Sequence, residues 1–361
     1  MKKILAILMA LVIIATCGVA MADAPKIGIT IYQFADNFMT LYREELARYL
    51  TEDCGIPAEN ITIMDGKNDQ AEQSNQIDAF IADNVDVMII NLVQSSSAAA
   101  VIQKADAAGI PVVFINREPT AEDMELNGNH CYVGADARQS GTMQGNIVLA
   151  TENKGDFNGN GAVDYVMIMG DPENVDAQYR TEFSVKALTD AGLTVNKLFE
   201  QRGDWDQTKG QELAANALTQ FGNDVDVIFC NNDAMALGAY QAIVDAGRVV
   251  GEDIYLLGVD ALAECVEMVN EGKMTGTVLN DHVGQSHTAA DAAIKAAAGE
   301  KLEKYYWVDY VMVTKQSFFT KGIIGCVRMC ARTLLNWNKG EADSCRNFDL
   351  KCGALSSSSR A

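Results

Sequence analysis

Short apolar runs that end in Asn or Asp and pass straight into a helix recur along this chain, and that repeat leaves few folds open to it. The clearest copy is Val225 to Gly238, VDVIFCNNDAMALG. Its first half is apolar and β-branched, as a strand buried on both faces of a parallel sheet must be. Asn231, Asn232 and Asp233 follow where the strand ends, and Ala234-Met235-Ala236-Leu237 opens a helix. In open α/β sheets ligands bind at the carboxyl ends of the strands, so the triplet stands where a site is expected. One triplet is accounted for equally well by helix capping. The recurrence is what points to a site.

The rhythm runs through the chain twice. Strands are predicted at Lys26 to Tyr32, Ile61 to Met64, Val85 to Val93 and Pro111 to Asn116. Helices at Asn37 to Glu52, Ala71 to Asp83 and Ser96 to Ala108 alternate with them. The second series has strands at Val163 to Gly170, Thr194 to Glu200, Val225 to Cys230, Ile254 to Val259 and Thr275 to Leu279. Its helices are predicted at Asp176 to Ala191 and Gln207 to Phe221. This βαβ order predicts an α/β fold with two doubly wound parallel-sheet domains. The change-over falls near Gly134 to Asp136, a helix from Asp281 to Ala298 returns to the first half, and Tyr305 to Val313 supplies the last strands. The expected domains are 23–134 with 281–308, and 135–280 with 309–318, joined by a multi-crossing hinge. Closure of a cleft about such a hinge is a known response to ligand.

The ends differ from this body. Lys2 and Lys3, an apolar run from Ile4 to Thr16 and the small residues Ala20-Met21-Ala22 read as a signal peptide over 1–22, hence an exported, periplasmic or extracytoplasmic protein. A lipid anchor at Cys17 is the less favoured alternative, because Thr16 is awkward before such a cysteine. The segment 319–361 carries seven Lys or Arg against three acidic residues and four of the nine cysteines, at 326, 330, 345 and 352. Their spacing matches no zinc pattern and no histidine accompanies them, so a poorly ordered, atypical tail is expected. Cysteines 54, 131, 230 and 265 are scattered, and Cys131 and Cys230 lie in apolar runs where a buried inert thiol is the ordinary outcome.

Loss of Lys2 and Lys3 takes the formal charge from −21 to −23. So acidic a chain is a poor partner for nucleic acid or an anionic membrane surface. The 361 residues suit two domains, and no later segment is apolar and long enough to span a bilayer.

Two constellations carry chemistry. The first is Asp156-Phe157-Asn158-Gly159-Asn160-Gly161-Ala162-Val163-Asp164, with oxygen side chains at positions 1, 3, 5 and 9 and glycine at 6 of a calcium loop. Ala162, at position 7, would offer its carbonyl; the twelfth position is Met167, so the usual bidentate carboxylate is missing. An Asn/Gly-rich surface turn is the plainer alternative. The second is the set of polar residues at strand ends: Asp36-Asn37-Phe38, Asn91, Asn116-Arg117-Glu118, Asn174 to Arg180, Asp204-Trp205-Asp206, Asn232, Asp260 and Asn280. Planar hydrogen-bonding groups with two aromatics suit a polyhydroxylated ligand, whose hydroxyls need partners and whose C–H patches need an apolar cover.

At these residues the chain strongly resembles the periplasmic galactose/glucose-binding proteins. The motifs are IGITIYQFADNFM, IINLV, VVFINREP, YVGAD, the DxNxNG loop, NNDAMALG, GVDAL and TGTVLND, in order from Lys26 to Val313. The resemblance implies a type I periplasmic binding protein with Phe38 and Trp205 sandwiching a pyranose ring. Asp36, Asn91, Asp176, Arg180, Asn232, Asp260 and Asn280 would bind hydroxyls and the ring oxygen. Asn174 stands where members often have a sugar-binding His, so specificity can shift. The resemblance also implies a structural Ca2+ held by Asp156, Asn158, Asn160, Ala162, Asp164 and, from afar, Asp226, where the family usually has the longer Glu. The function implied is capture of a hexose, galactose or glucose, for the permease of an ABC importer and for a chemoreceptor, with a pentose or methyl-galactoside as alternative ligand.

Two other classes fare worse. A glycoside hydrolase would draw a carboxylate pair from Asp36, Asp176 and Asp260, but the surrounding Asn and Arg groups look like ligand satisfaction. His130, His282 and His287 form no nucleophile–base set, and each is expected at a surface or a cap. A sugar-responsive transcription regulator lacks its N-terminal helix-turn-helix here.

Overall fold

The computed structural model describes residues 24–315. The signal segment at 1–22, with Cys17 in it, and the tail at 319–361 lie outside the described residues. Twelve strands are described: β1 (Ile27–Ile31), β2 (Ile61–Asp65), β3 (Val87–Ile90), β4 (Val112–Ile115), β5 (His130–Gly134) and β6 (Val163–Met169). There follow β7 (Val195–Arg202), β8 (Val227–Cys230), β9 (Tyr255–Leu257), β10 (Gly276–Leu279), β11 (Tyr305–Trp307) and β12 (Val311–Thr314). The α-helices are α1 (Asn37–Arg48), α2 (Gln70–Ala82), α3 (Ala98–Ala108), α4 (Ala121–Met124) and α5 (Ala137–Leu149). After them come α6 (Val175–Asp190), α7 (Gln207–Phe221), α8 (Asp233–Asp245), α9 (Ala263–Glu271) and α10 (His282–Ala297).

The described residues group into two units. One takes in 24–35, Met39–Gly134 and His282–Tyr306; the other takes in Asp36–Phe38, Ala135–Asp281 and 307–315. The first sheet has the order β11-β5-β4-β3-β1-β2 and the second β12-β10-β9-β8-β6-β7. From β1 to β5 and from β6 to β10 every neighbouring pair is parallel; β12 runs antiparallel to β10. Each half therefore has the doubly wound order 2-1-3-4-5. Its switch point lies between β1 and β3 in the first unit, and between β6 and β8 in the second. Crossover helices leave to opposite faces there, so the strand ends are uncovered.

Strand alternation explains the burial. In the second unit Val166, Ile168, Ile228, Cys230 and Leu256 face α7, α8 and α9, packing with Leu218, Met235 and Met268. The intervening Tyr165, Met167, Val227, Phe229 and Leu257 pack on the other side with Ile147 of α5 and Leu188 of α6. A strand covered on both faces has to be apolar at every position, which is why VIFC, Val227–Cys230, reads as an unbroken run. In the first unit Met88, Ile90, Val112, Phe114 and Tyr132 meet α2 and α3 through Ile77, Phe80, Val101 and Ile102, while α10 lies against β3, β4 and β5.

The helix predicted over Asn37 to Glu52 is α-helical only to Arg48; Tyr49–Asp53 is a π-helical turn. Its ends are tied: Arg48 donates to Glu45 behind it and Asp53 ahead, and Tyr49 stacks on His287 of α10 with ring centroids 3.8 Å apart. The sequence pattern left α5 and α9 unmarked. In α5, Gly141 and Gly145 break the apolar period, yet a Cβ on Gly145 would sit 2.5 Å from Ala187 Cβ, so the glycine lets α5 and α6 pack closely.

The histidine expectation needs correcting. His130 is neither a surface nor a cap residue but is buried in β5, with Nε2 3.4 Å from the Met124 carbonyl. Burial pushes its pKa down. His287 pairs with Glu45 at 2.6 Å, and His282 opens α10. Cys54, Cys131, Cys230 and Cys265 are free thiols. Cys131 and Cys230 are fully buried, and burial pushes the Cys131 thiol up to about 12, leaving it inert. Among the described residues no helix is long and apolar enough to cross a membrane.

Candidate functional site

In the first unit the end of β3 is a hydrogen-bonded junction. Asn91 is fully buried; its Oδ1 accepts from Tyr32 N–H at 3.2 Å, and its Nδ2 donates to Ile115 O at 3.2 Å and Asn116 Oδ1 at 3.1 Å. Both amide protons are thus engaged, and only a lone pair on Oδ1 is left over for a ligand. Asn116 has φ +61, and its carbonyl accepts from Tyr132 Oη at 2.7 Å. Arg117, also buried, lies with its guanidinium 3.7 Å from the Tyr32 ring centroid and donates to Val93 O. Asp36 and Phe38, at the start of α1, group with the second unit, and Phe38 is buried.

The second unit gathers more. Asn174 caps α6, its Oδ1 accepting from Asp176 N–H at 3.1 Å. In the second turn of that helix Arg180 is 3% exposed; it donates to Asn231 O at 2.8 Å and to Tyr310 Oη at 3.0 Å. Its Nε has no hydrogen-bond partner among the described residues. The Arg180 guanidinium is 5.7 Å from the Trp205 ring centroid. Asp260, 6% exposed, accepts from Asn280 Nδ2 at 3.3 Å. Burial pushes its carboxyl well up, with Arg180 opposing and Asp233 adding.

Trp205 is held by backbone. Asp204 and Trp205 have φ +52 and +65, a conformation costly for residues with side chains. Arg202 and Lys209 both donate to the Asp204 carboxylate. Burial pushes that carboxyl up, but these two bonds more than offset it and hold it low. Gly170 completes the arrangement: a Cβ there would lie 2.2 Å from the indole, so only glycine lets the ring lie over the end of β6. Asn232 Nδ2 donates to Trp205 O at 3.3 Å while its Oδ1 caps α8 at Met235 N–H, 3.0 Å away.

The triplet Asn231-Asn232-Asp233 divides its work three ways. Asn231 is fully buried and structural: its Oδ1 accepts from Gly170 N–H at 3.0 Å and its carbonyl from Arg180. Asn232 caps a helix and keeps one amide hydrogen and one lone pair beyond its bonds to Trp205 O and Met235 N–H. Asp233 binds the turn after β9. Tyr310, the partner of Arg180, was not picked out from the sequence; an aromatic between two short strand runs carries no spacing signal.

The 156–164 loop is closed by its own side chains. Asp156 accepts from Gly159 and Gly161 N–H at 2.7 and 3.0 Å. Asp226, fully buried, accepts from Phe157, Asn158 and Asp164 N–H at 3.0, 3.1 and 3.0 Å. Asp164 receives the amides of Asn158, Asn160 and Asn196 at 2.9, 2.6 and 2.9 Å. Asn196, on β7, was missed in the sequence because it lies 32 residues on. The donor set is all oxygen, as a hard cation requires. The Asn158 and Asn160 amides, however, present nitrogen to Asp164. Among the described residues no three His, Cys, Asp or Glu side chains form a metal-ready group. A cation here needs both amides turned over.

Two doubly wound units of this strand order in one chain are the architecture of the type I periplasmic binding proteins. A solute-binding protein of Bacillus halodurans with bound myo-inositol superposes with a TM-score of 0.70 at 26% identity, over 82% of this chain and 97% of that one. The myo-inositol binding protein of Caulobacter superposes with a TM-score of 0.74 at 21% identity, over 85% and 99%. The chain belongs to the family: the profile of the periplasmic binding protein domain matches residues 27–301. It is 34% identical to the D-galactose/methyl-galactoside binding periplasmic protein MglB of Haemophilus influenzae, over 76% of this chain and 82% of that protein. It is 33% identical to a putative rhizopine-binding protein of Rhizobium meliloti, over 87% and 97%.

Proposed function

We propose that this chain is the extracytoplasmic sugar-binding component of an ABC importer, and that its ligand is a hexose of the galactose/glucose type. The observation that carries the reading is Arg180: a buried guanidinium whose Nε lacks a partner, flanked by the Trp205 ring and the carboxylate of Asp260. A buried charged donor left over from protein bonding calls for an acceptor on a ligand. An indole face beside it supplies the apolar cover that a pyranose ring needs. Asp176, Asn174, Asn232 and Asn280 add further polar groups at the same strand ends, and Asp36, Phe38 and Asn91 complete the set. The sugar-bound form is what a permease or a chemoreceptor would read.

Relatives that bind ribose and a neighbour holding myo-inositol make a pentose or a cyclitol the second reading. Asn174, whose Oδ1 is spent on the helix cap, is the residue we assign to that choice. We also propose that Ca2+ occupies the 156–164 loop with Asp226, supported by the all-oxygen donor set and by the burial of Asp226 and Asp164 beside the loop. Titration calorimetry with D-galactose, D-glucose, D-ribose and myo-inositol, with and without chelator, tests both readings. A hexose bound at least tenfold more tightly than ribose is expected; no binding of any of the four removes the sugar reading.

A further inference from the structure

We propose that Asp233, which is outside the sugar-binding set above, is the positioning residue that holds Asp260 in its binding orientation. The inference rests on the sugar-binding reading, because Asp260 belongs to that set. Asp233 is fully buried in the first turn of α8. Its Oδ1 accepts from the Thr277 hydroxyl at 2.7 Å and its Oδ2 from Leu262 N–H at 2.8 Å, while its own N–H donates to Val259 O at 2.7 Å. Thr277 Oγ1 in turn accepts from Ala261 N–H at 3.3 Å. Val259, Ala261 and Leu262 are thus tied to this one aspartate, directly or through Thr277. Only Asp260 between them is left to face the Arg180 charge.

The turn needs such a hold. Asp260 has φ +123 and Ala261 φ +54, left-handed values that residues with a Cβ keep only where the surroundings fix them. Asp260's own bonds, its N–H to Val278 O at 2.8 Å and its carboxylate to Asn280, anchor it toward β10 alone. The chain also makes room for the carboxylate: a Cβ on Gly258 would sit 2.2 Å from Asp233 Oδ1. An aspartate serving only as the acid in a helix's first turn would have no such link to the 259–262 turn.

A double-mutant cycle separates a positioning role from a merely structural one. Binding of D-galactose and D-glucose is measured by calorimetry for wild type, Asp233→Ala, Asp260→Asn and the double variant, with Thr277→Val in place of Asp233→Ala should the latter fail to fold. If Asp233 acts through Asp260, each single change weakens binding about tenfold or more, and the double is within about threefold of Asp260→Asn alone. Asp233→Asn, which keeps an acceptor for Leu262 N–H, restores most of the loss. Losses that multiply in the double variant, or unchanged affinity in Asp233→Ala, overturn the proposal while leaving the sugar reading intact. A wild-type protein that binds neither these sugars nor ribose nor myo-inositol removes both.

Discussion

At Gly170 a single hydrogen atom decides where Trp205 lies. A methyl group there would stand 2.2 Å from the indole, and the ring cannot keep its place over β6. Gly170→Ala is therefore expected to weaken sugar binding at least tenfold and to shift indole emission, as Trp205→Ala weakens it through lost stacking area. Calorimetry and fluorescence check this, and unchanged affinity in either variant would mean that Trp205 does not touch the sugar. Which residues line the strand ends was legible in the sequence, because polarity after an apolar run marks the carboxyl end of a strand. What each does was not. Asn231, Asn232 and Asp233 are alike in composition and adjacent in the chain, but they point to Gly170, Met235 and Leu262 respectively. Only the crossover order sets those partners.

At the scale of elements, most strands and helices could be read from pattern alone, since the central strands are covered on both faces and stand out as apolar runs. The failure at α5 has a physical cause: close approach requires glycine, and glycine reads as a helix breaker. Where α7 crosses α8, a Cβ on Gly238 would lie 2.0 Å from Gln207 O, and one on Gly210 would lie 2.4 Å from Met235 O. The obstructing atoms are backbone, so side-chain repacking gives no relief. Gly238→Ala is expected to destabilise the protein by about 1–3 kcal/mol through overpacking, despite the gain in helix propensity. Urea midpoints measure it, and a variant as stable as wild type would show that the two helices move apart freely.

The 156–164 loop gives a second prediction at this scale. Added Ca2+ raises the melting midpoint, by an amount equivalent to about 2.7 kcal/mol at a hundredfold excess over Kd, and chelator reverses it. Asp226→Ala abolishes the Ca2+ response and also lowers the ion-free midpoint, because three backbone N–H groups lose their acceptor. A midpoint indifferent to Ca2+ would leave the loop as a turn tied by its own side chains.

For the whole molecule, the buried acids set how stability follows pH. Glu45 is held down at about 2, since hydrogen bonds from Arg48 and His287 outweigh the upward push of burial. Asp164 and Asp204 are also held low. These groups add stability that is present above the ordinary carboxylate pKa of about 4 and is lost as pH falls through their folded values. Burial acts the other way on Asp233, pushed up to about 7, and on Asp226 and Asp260, also raised. There the folded chain keeps a proton that the unfolded chain releases above about pH 4, so stability falls as pH rises from about 4 toward 7. The two sets together place the maximum near pH 4–5, and urea midpoints should then drop between pH 5 and 8, with Asp233 contributing on the order of 1–4 kcal/mol. Self-repulsion in a chain of net charge −21 pulls in the same direction. Salt separates the two causes: about 0.5 M NaCl screens exposed charges but leaves a buried carboxyl nearly untouched. A fall that persists in salt and flattens in Asp233→Asn assigns it to Asp233, whereas a fall that salt abolishes assigns it to the surface.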